Sequence, residues 1–192
     1  REDNLKRTGL ISGKPNTDIS VIWLSYNVHG NESVSTEASL ATVHELLANP
    51  NQAWLENLVV VIDPCLNPDG RERYVNFYNQ YNNYPNQPRI DSWEHHEPWP
   101  GGRANHYLFD LNRDWAWMSQ KESQQRLKVY NQWLPQIHVD FHEQGINSPY
   151  YFAPAAEPYH ELITDWQRGF QIEIGKNHAK YFDQNNWLYF TK

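Results

Sequence analysis

Two side chains able to bind a metal ion, His29 and Glu32, lie three positions apart in one short polar loop. The loop follows an apolar run at 19–24 that predicts a strand, and it precedes a segment at 36–47 whose apolar residues recur at helical spacing. An imidazole nitrogen and a carboxylate oxygen presented side by side provide half of a zinc site. The same pair also fits a polar loop whose glutamate caps the following helix, so the interpretation depends on a third ligand elsewhere in the chain.

His142 is the candidate for that ligand, since a zinc hydrolase holds its ion with three side chains and leaves a fourth position open for water. It ends an alternating run at 137–142 that predicts a strand, and ligands collect at the carboxyl ends of strands in open α/β sheets. Asp140 shares a face of this strand with His142 and could orient a ligand imidazole. Glu143 would point to the opposite face if the strand continued, which lowers its claim as a catalytic base.

The apolar segments alternate with helical patterns, which predicts an α/β domain. Runs at 19–24 and 58–62 are typical of strands buried on both faces of a sheet. We therefore expect a mixed, mostly parallel central sheet flanked by helices, in a single domain covering residues 1–192. Further helices are predicted at 71–81, 120–134 and 159–182, the last broken near Gly175, and further strands at 150–153 and 187–192.

Composition and charge exclude several classes of function. The formal charge is −7 and no basic stripe is present, which argues against nucleic acid as the main partner because phosphate binding needs clustered Lys and Arg. No apolar run approaches the roughly 20 residues that span a bilayer. The single Cys65 excludes an internal disulfide framework and, after the apolar run at 58–62, is interpreted as a buried small residue rather than a nucleophile.

Four separated motifs together resemble the metallocarboxypeptidase A family, the M14 zinc peptidases, in particular its bacterial members. In order they are His-x-x-Glu at 29–32, Asn-Pro-Asp-Gly at 67–70, Asp-x-Asn-Arg at 110–113, and the strand-borne His142. The match spans residues 19–153. Each motif alone has little specificity, whereas four in the family's order are specific.

The resemblance implies that His29, Glu32 and His142 hold one zinc ion. It also implies that Asp110 accepts a hydrogen bond from a ligand histidine, expected to be His29. The partner would be a peptide, or an acyl-amino acid, with a free C-terminal carboxylate. A domain of this family without an internal disulfide favours a periplasmic or secreted bacterial enzyme, although the sequence itself does not specify the compartment.

Three arginines have roles implied by the same resemblance. Asn112 and Arg113 would grip the substrate's terminal carboxylate, which the planar guanidinium fork matches. Arg103 would stabilise the oxyanion at the scissile carbonyl. Arg71 competes for that role, and Arg103 is preferred. Without the family, Asn112 and Arg113 also fit a surface turn paired with a neighbouring aspartate.

Two departures from the family concern its general-base glutamate and its substrate-capping tyrosine. Both lie beyond the third ligand in the family, and nothing after residue 153 matches them. Glu157, Glu161 and Glu173 are interpreted as solvated surface residues. Because the chain also begins with Arg1 rather than Met, we expect a piece of a longer protein at both ends, with a catalytic domain that stops before the base.

The stretch 82–102 has no hydrophobic periodicity. We expect it to be functional or mobile, because most loops of this length are one or the other. Its His95 and His96 could bind a second metal, but adjacent residues rarely converge on one ion, so the rim of a cleft is preferred. Asn31 begins a glycosylation sequon that we interpret as coincidence in a metal-binding loop.

Three functions are compatible with these residues. The preferred one is a zinc metallocarboxypeptidase that hydrolyses the C-terminal peptide bond through an activated water. The alternative is a zinc amidase or deacylase acting on N-acyl amino acids or cell-wall peptides. The third is a binding module without catalysis, whose many aromatic side chains hold a peptide or a glycan.

Overall fold

The protein is described by a computed structural model that covers residues 1–16, 18–48, 53–145 and 147–191. The chain divides after Glu143 into two compact units, Arg1–Glu143 and Gln144–Lys192. All the predicted site residues belong to the first unit. The expectation of a single domain over the whole chain stays a prediction.

The first unit is built on a sheet with the strand order β2-β1-β3. Its strands are β1 (Ser20–Tyr26), β2 (Leu58–Asp63) and β3 (Ile137–Phe141), and β1 is parallel to both neighbours. The α/β class is confirmed, although the sheet, expected to be mixed, is parallel throughout these three described strands. The central strand carries the most buried residues, with Val21, Trp23 and Ser25 buried on one face and Tyr26 buried on the other.

Three helices of this unit begin within three residues of where the sequence predicts them, whereas the helix at Glu2–Arg7 is not predicted. The described helices are α1 (Glu2–Arg7), α2 (Val34–Ala48), α3 (Pro68–Tyr81) and α4 (Lys121–Trp133), with short 3-10 turns at Ala53–Asn57, Trp93–His95 and Leu111–Arg113. Helix α3 begins three residues earlier than predicted because the Asn67 side chain accepts a hydrogen bond from the Gly70 N–H and Pro68 occupies the first turn.

The second unit contains helix α5 (Asp165–Gln184) and irregular segments on either side of it. Thr164 and Gln167 form a capping box, so the helix begins six residues later than the predicted 159. No helix among the described residues is both long and apolar enough to cross a bilayer.

The two strands predicted in the second unit are wrong within the described residues, since 150–153 and 187–191 are irregular. Aromatic residues favour strands because they pack well on a pleated surface. Here they pack against one another instead: the ring centroids of Tyr150 and Phe152 lie 4.7 Å and 5.2 Å from that of Phe182 on α5, and Phe182 also contacts Trp187 and Tyr189. Lys192 lies outside the described residues.

The predicted break near Gly175 is also wrong, because α5 runs through this position without interruption. Gly175 is instead a site of close packing. A Cβ there would overlap the backbone carbonyl of Ala153, whereas a Cβ at Gly169, on the same helix, would meet no atom within 4 Å.

Replacing the two glycines of α5 with alanine should change the stability of the protein in opposite directions. Gly169→Ala should stabilise the protein by about 0.5–1 kcal/mol, because it removes backbone freedom from the unfolded chain. Gly175→Ala should destabilise it by about 1–3 kcal/mol, because the Ala153 carbonyl must move. Urea denaturation followed by far-UV circular dichroism measures both, and a stabilising Gly175→Ala would contradict the packing described for α5.

Candidate metal centre

Three potential metal ligands converge at the carboxyl edge of the sheet. His29 and Glu32 follow β1, and His142 follows β3 directly. Because β1 and β3 are adjacent and parallel, with Tyr26 opposite Phe141, both segments leave the sheet at the same end. One ligand atom from each of His29, Glu32 and His142 lies within 4.8 Å of the other two.

Each imidazole presents the same nitrogen to the centre of this cluster. The Nδ1 atoms of His29 and His142 lie 2.8 Å and 3.1 Å from the two carboxylate oxygens of Glu32. On the far side, His29 Nε2 lies 3.3 Å from Asp110 Oδ1, and His142 Nε2 lies 3.3 Å from Asp140 Oδ2. An Nε2–H that donates to a carboxylate leaves the Nδ1 lone pair for a metal, which is how carboxylates behind a metal site orient histidine ligands.

The donor set also has the electrostatics of a cation site. Burial alone would raise the pKa of Glu32, but hydrogen bonds from His142, from His29 and from the Glu143 N–H lower it to about 2. Hydrogen bonds to Asp140 and Glu32 raise the pKa of His142 to about 9. Without a metal these shifts describe an ion pair between the Glu32 carboxylate and a protonated His142 imidazole, whose Nδ1 proton a bound cation would replace. Two imidazoles and one carboxylate are the ligand types that Zn²⁺ prefers, so these residues fit zinc.

The metal loop, residues 27–32, is shaped by one buried amide. Asn27 directly follows β1 and has the left-handed conformation with φ of 59°, which asparagine tolerates better than most residues. Its side-chain Nδ2 donates to the carbonyl oxygens of His29 at 3.0 Å and Glu32 at 2.9 Å. Asn27 is fully buried, so these bonds fix the loop conformation that presents both ligands. Sequence reasoning missed this residue, whose only signal is an asparagine at the end of a predicted strand.

Asn67 joins the metal loop to the arginine loop, residues 101–103. Its Nδ2 donates to the carbonyl oxygens of Val28 at 3.2 Å and Arg103 at 3.1 Å, while its Oδ1 accepts from the Gly70 N–H. It is fully buried. The Asn-Pro-Asp-Gly motif is therefore a structural junction beneath the metal cluster.

Three glycines allow these loops to touch. Gly30, Gly70 and Gly102 meet backbone to backbone, and a Cβ on any one of them would overlap backbone atoms of another. Since only glycine permits this approach, the metal loop, the arginine loop and the first turn of α3 each have a glycine at the point of contact.

Arg103 lies beside the metal cluster. Its Nε and Nη2 donate to Asp110 Oδ2 at 3.1 Å and 2.9 Å, and its Nη1 is 3.4 Å from His29 Nδ1. Burial would raise the pKa of Asp110, but the Arg103 charge and the Asn112 N–H hold it below its ordinary value. Arg71, the competing candidate, instead pairs its guanidinium with Glu37 of α2.

The Asp-x-Asn-Arg motif forms a capped turn. Asp110 Oδ1 accepts from the Asn112 N–H at 3.0 Å, and fully buried Leu111 anchors the 3-10 turn that follows. Arg113 is exposed, and its Nη1 donates to the Asn112 carbonyl oxygen. Within the described ranges it makes no ion pair with Asp110 or Asp114, so the surface pair considered from the sequence does not form.

His95 and His96 do not belong to a metal-binding group among the described residues. Their Nε2 atoms bond the carbonyl oxygens of Gln87 at 2.7 Å and Ile90 at 2.8 Å. The stretch 82–102 is instead held by carboxylates: Glu94 is buried and accepts from the N–H groups of Asn83 and Gln87.

Comparison with known proteins finds similar sequences. A family model described as zinc carboxypeptidase, Peptidase M14, matches residues 8–181. Carboxypeptidase 2 of Trichophyton tonsurans is 28% identical over 134 residues, which cover 68% of this chain and 20% of that protein. Probable carboxypeptidase 2 of Arthroderma benhamiae is 28% identical over 126 residues, which cover 64% of this chain and 18% of that protein. The chain spans about one fifth of the length of these curated relatives.

The turn that ends the Asp-x-Asn-Arg motif predicts a pH dependence of stability. Burial would raise the pKa of Asp114, but hydrogen bonds from Ser119 and from the Gln120 N–H lower it to about 2 from its ordinary 3.8. A carboxylate whose pKa is lower in the folded state contributes stability above the unfolded pKa, and this contribution is lost as pH falls toward the folded pKa.

Asp114→Asn should therefore lower the free energy of unfolding above pH 4 and flatten its decline between about pH 4 and pH 2. Urea denaturation at about pH 2–5 measures this. Asp91→Asn, which removes an exposed carboxylate paired with Arg89, is the matched control and should leave the decline unchanged. An equally steep decline in Asp114→Asn would contradict the prediction.

Proposed function

Because this chain belongs to the M14 zinc carboxypeptidase family, we propose that it carries the metal centre of a zinc metallocarboxypeptidase that hydrolyses the C-terminal peptide bond of a peptide. One observation supports the proposal most strongly. Two Nδ1 atoms and a carboxylate lie within 4.8 Å of one another, and each imidazole is oriented by a second carboxylate. Family membership alone does not require that these particular side chains meet.

His29, Glu32 and His142 would hold the ion, with Asp110 and Asp140 fixing the two imidazoles. A zinc ion held there supplies a Lewis acid for the scissile carbonyl and lowers the pKa of a bound water to about 7. The residues of this chain then have separate tasks around the substrate.

Arg103 is the proposed oxyanion-stabilising residue. Its guanidinium reaches to within 3.4 Å of the metal-facing nitrogen of His29, and Asp110 holds it there through two hydrogen bonds. A cation fixed before the reaction stabilises developing negative charge at little reorganisation cost, which is worth about 3–4 kcal/mol for one such donor. Arg71 is not proposed for this role because Glu37 binds its guanidinium.

Asn112 and Arg113 are the proposed readers of the substrate's terminal carboxylate. The turn that carries Asn112 and Arg113 begins at Asp110, which also contacts His29. The two residues are therefore linked directly to the metal cluster. The Arg113 guanidinium is exposed and bonded only to a neighbouring carbonyl oxygen among the described residues, which leaves donors for a ligand.

Glu143 is not proposed as the general base. Its Oε1 accepts a hydrogen bond from the Val34 N–H at 2.8 Å, where α2 begins. Its own N–H donates to Glu32 Oε2 at 3.0 Å. These contacts give Glu143 a structural role at the start of α2 and beside the ligand carboxylate. Glu157, Glu161 and Glu173 are exposed residues of the second unit.

Zinc content tests the proposed metal centre. The full-length protein should retain one zinc ion per chain after dialysis, and His142→Ala should lose it, because two ligands hold zinc far less tightly than three. His95→Ala, which removes an imidazole bonded to Gln87, is the matched control and should keep the zinc. Elemental analysis measures all three. Zinc retained in His142→Ala and lost in His95→Ala would contradict the ligand assignment.

Substrate choice separates the proposed reaction from its alternative. The full-length protein should hydrolyse N-blocked dipeptides with a free C-terminus. Hydrolysis of N-acyl amino acids or cell-wall peptides alone would support the amidase or deacylase. Zinc binding without hydrolysis of either class would leave a binding module.

Arg113→Ala should reduce kcat/KM for free-carboxylate peptides by about 10–100-fold, equivalent to the roughly 1.5–3 kcal/mol of hydrogen bonds to a charged group. Peptides with an amidated C-terminus should be cleaved slowly and equally by both forms. Arg89→Ala, at an exposed surface arginine, is the control. Equal loss on both substrate types would show that Arg113 does not read the carboxylate.

A further inference from the structure

Glu97 links the metal loop to the arginine loop. Its Oε2 accepts a hydrogen bond from Asn31 Nδ2 at 2.9 Å, and its Oε1 accepts from the Gly102 N–H. Asn31 directly precedes the ligand Glu32, and Gly102 directly precedes Arg103. One carboxylate therefore spans the two loops, within one residue of a proposed zinc ligand and of the proposed oxyanion-stabilising arginine.

The surroundings of Glu97 are shaped for this contact. A Cβ at Gly101 would lie 2.8 Å from Glu97 Oε2 and 3.0 Å from its carboxyl carbon, so glycine leaves the room that the carboxylate occupies. The segment that carries Glu97 is itself anchored, since buried Glu94 accepts hydrogen bonds from Asn83 and Gln87. The carboxylate therefore extends from a fixed support.

We propose that Glu97 is a positioning residue that holds the Arg103 guanidinium at its place beside the metal ligands. The inference rests on the proposed function and deepens it. A donor for an oxyanion acts only when its position is set before the reaction, and a displacement of about 1 Å can cost on the order of 10²-fold in rate. A carboxylate suits the task because hydrogen bonds to an ionised acceptor are about twice as strong as neutral ones.

The effect of Glu97 should appear in kcat rather than in zinc affinity. The metal loop has its own support from Asn27, and Asn67 ties it to the arginine loop at Val28. Loss of Glu97 leaves those bonds in place, together with the Arg73 bond to the Gly101 carbonyl oxygen and the Asp110 bonds to the Arg103 guanidinium. It removes the shared acceptor of the Gly102 N–H and the Asn31 side chain, so the ligands should stay assembled while the backbone that directly precedes Arg103 shifts.

A double-mutant cycle with Arg103 tests this directly. Glu97→Ala should lower kcat on N-blocked dipeptides by about 10–100-fold, with the Kd for zinc changed by less than about threefold. In an Arg103→Ala background the same change should have almost no effect, because the group that Glu97 positions is gone. Glu72→Ala, at an exposed glutamate on α3, is the matched control. Additive losses, or a loss of zinc from Glu97→Ala, would overturn the proposal.

Exchanging the amide of Asn31 and the carboxylate of Glu97 distinguishes loss of their hydrogen bond from simple unfolding of a variant. Asn31→Asp alone places two carboxylates face to face and should impair kcat as Glu97→Ala does. Asn31→Asp combined with Glu97→Gln restores both bonds, since the introduced amide can donate to the new carboxylate and accept from the Gly102 N–H. The combined variant should recover kcat to within about twofold of wild type. A combined variant as impaired as Asn31→Asp would refute the link.

An NMR measurement separates failure of this inference from failure of the proposed function. The Arg103 Nε–H donates to Asp110 at 3.1 Å, and its ¹⁵N–¹H signal can be assigned by its disappearance in Arg103→Lys. Glu97→Ala should shift this signal and speed its exchange with solvent, with no substrate or metal added. If the full-length protein hydrolyses no peptide, the proposed function fails, and a shifted signal still supports the positioning role. An unchanged signal overturns it.

Discussion

The candidate metal centre depends on one pairing within the sheet, the parallel alignment of β1 beside β3. Glu32 and His142 are 110 positions apart in the chain, yet the register that sets Tyr26 opposite Phe141 brings their loops to one edge. If β3 were antiparallel to β1, His142 would lie at the opposite end of the strands, roughly 15 Å away for strands of this length. The ligand geometry is therefore a consequence of strand direction, which the alternation of strands and helices predicts but no single motif encodes.

Beside this pairing, the metal loop and the arginine loop pack closely against the first turn of α3. Gly30, Gly70 and Gly102 allow backbones to meet, and Asn67 uses its amide to satisfy the carbonyl groups that this contact buries. Buried polar groups without partners are costly, so a fully bonded asparagine serves better here than an apolar residue. Asn67 and Gly70 of the Asn-Pro-Asp-Gly motif thus serve the architecture.

Much of the first unit could be predicted from the sequence, because its signals are local. Buried strands are apolar runs, and the apolar residues of helices recur at about 3.6 residues. The ligand types fit zinc chemistry and Asp140 follows from strand alternation, whereas the place of Asp110 is implied by the family resemblance. The hydrogen bonds of Asn27 and Glu97 could not be predicted in this way, since each depends on which N–H or carbonyl group lies beside the side chain in the folded chain. The choice between Arg103 and Arg71 likewise depends on Glu37, which pairs with one of them only in the folded chain. The predictions of strands near Tyr150 and at the end of the chain were wrong for a related reason. Aromatic residues can pack into a cluster of rings as readily as onto a sheet.

The central claim, that the two Nδ1 atoms and one carboxylate share a single zinc ion, is tested most directly by crystallography of the zinc-loaded protein. Anomalous difference maps at the zinc edge should show one strong peak, about 2.0–2.2 Å from Nδ1 of His29, Nδ1 of His142 and a carboxylate oxygen of Glu32. A peak bound through the Nε2 atoms, or one located at His95 and His96 with none between the three ligands, would contradict the account.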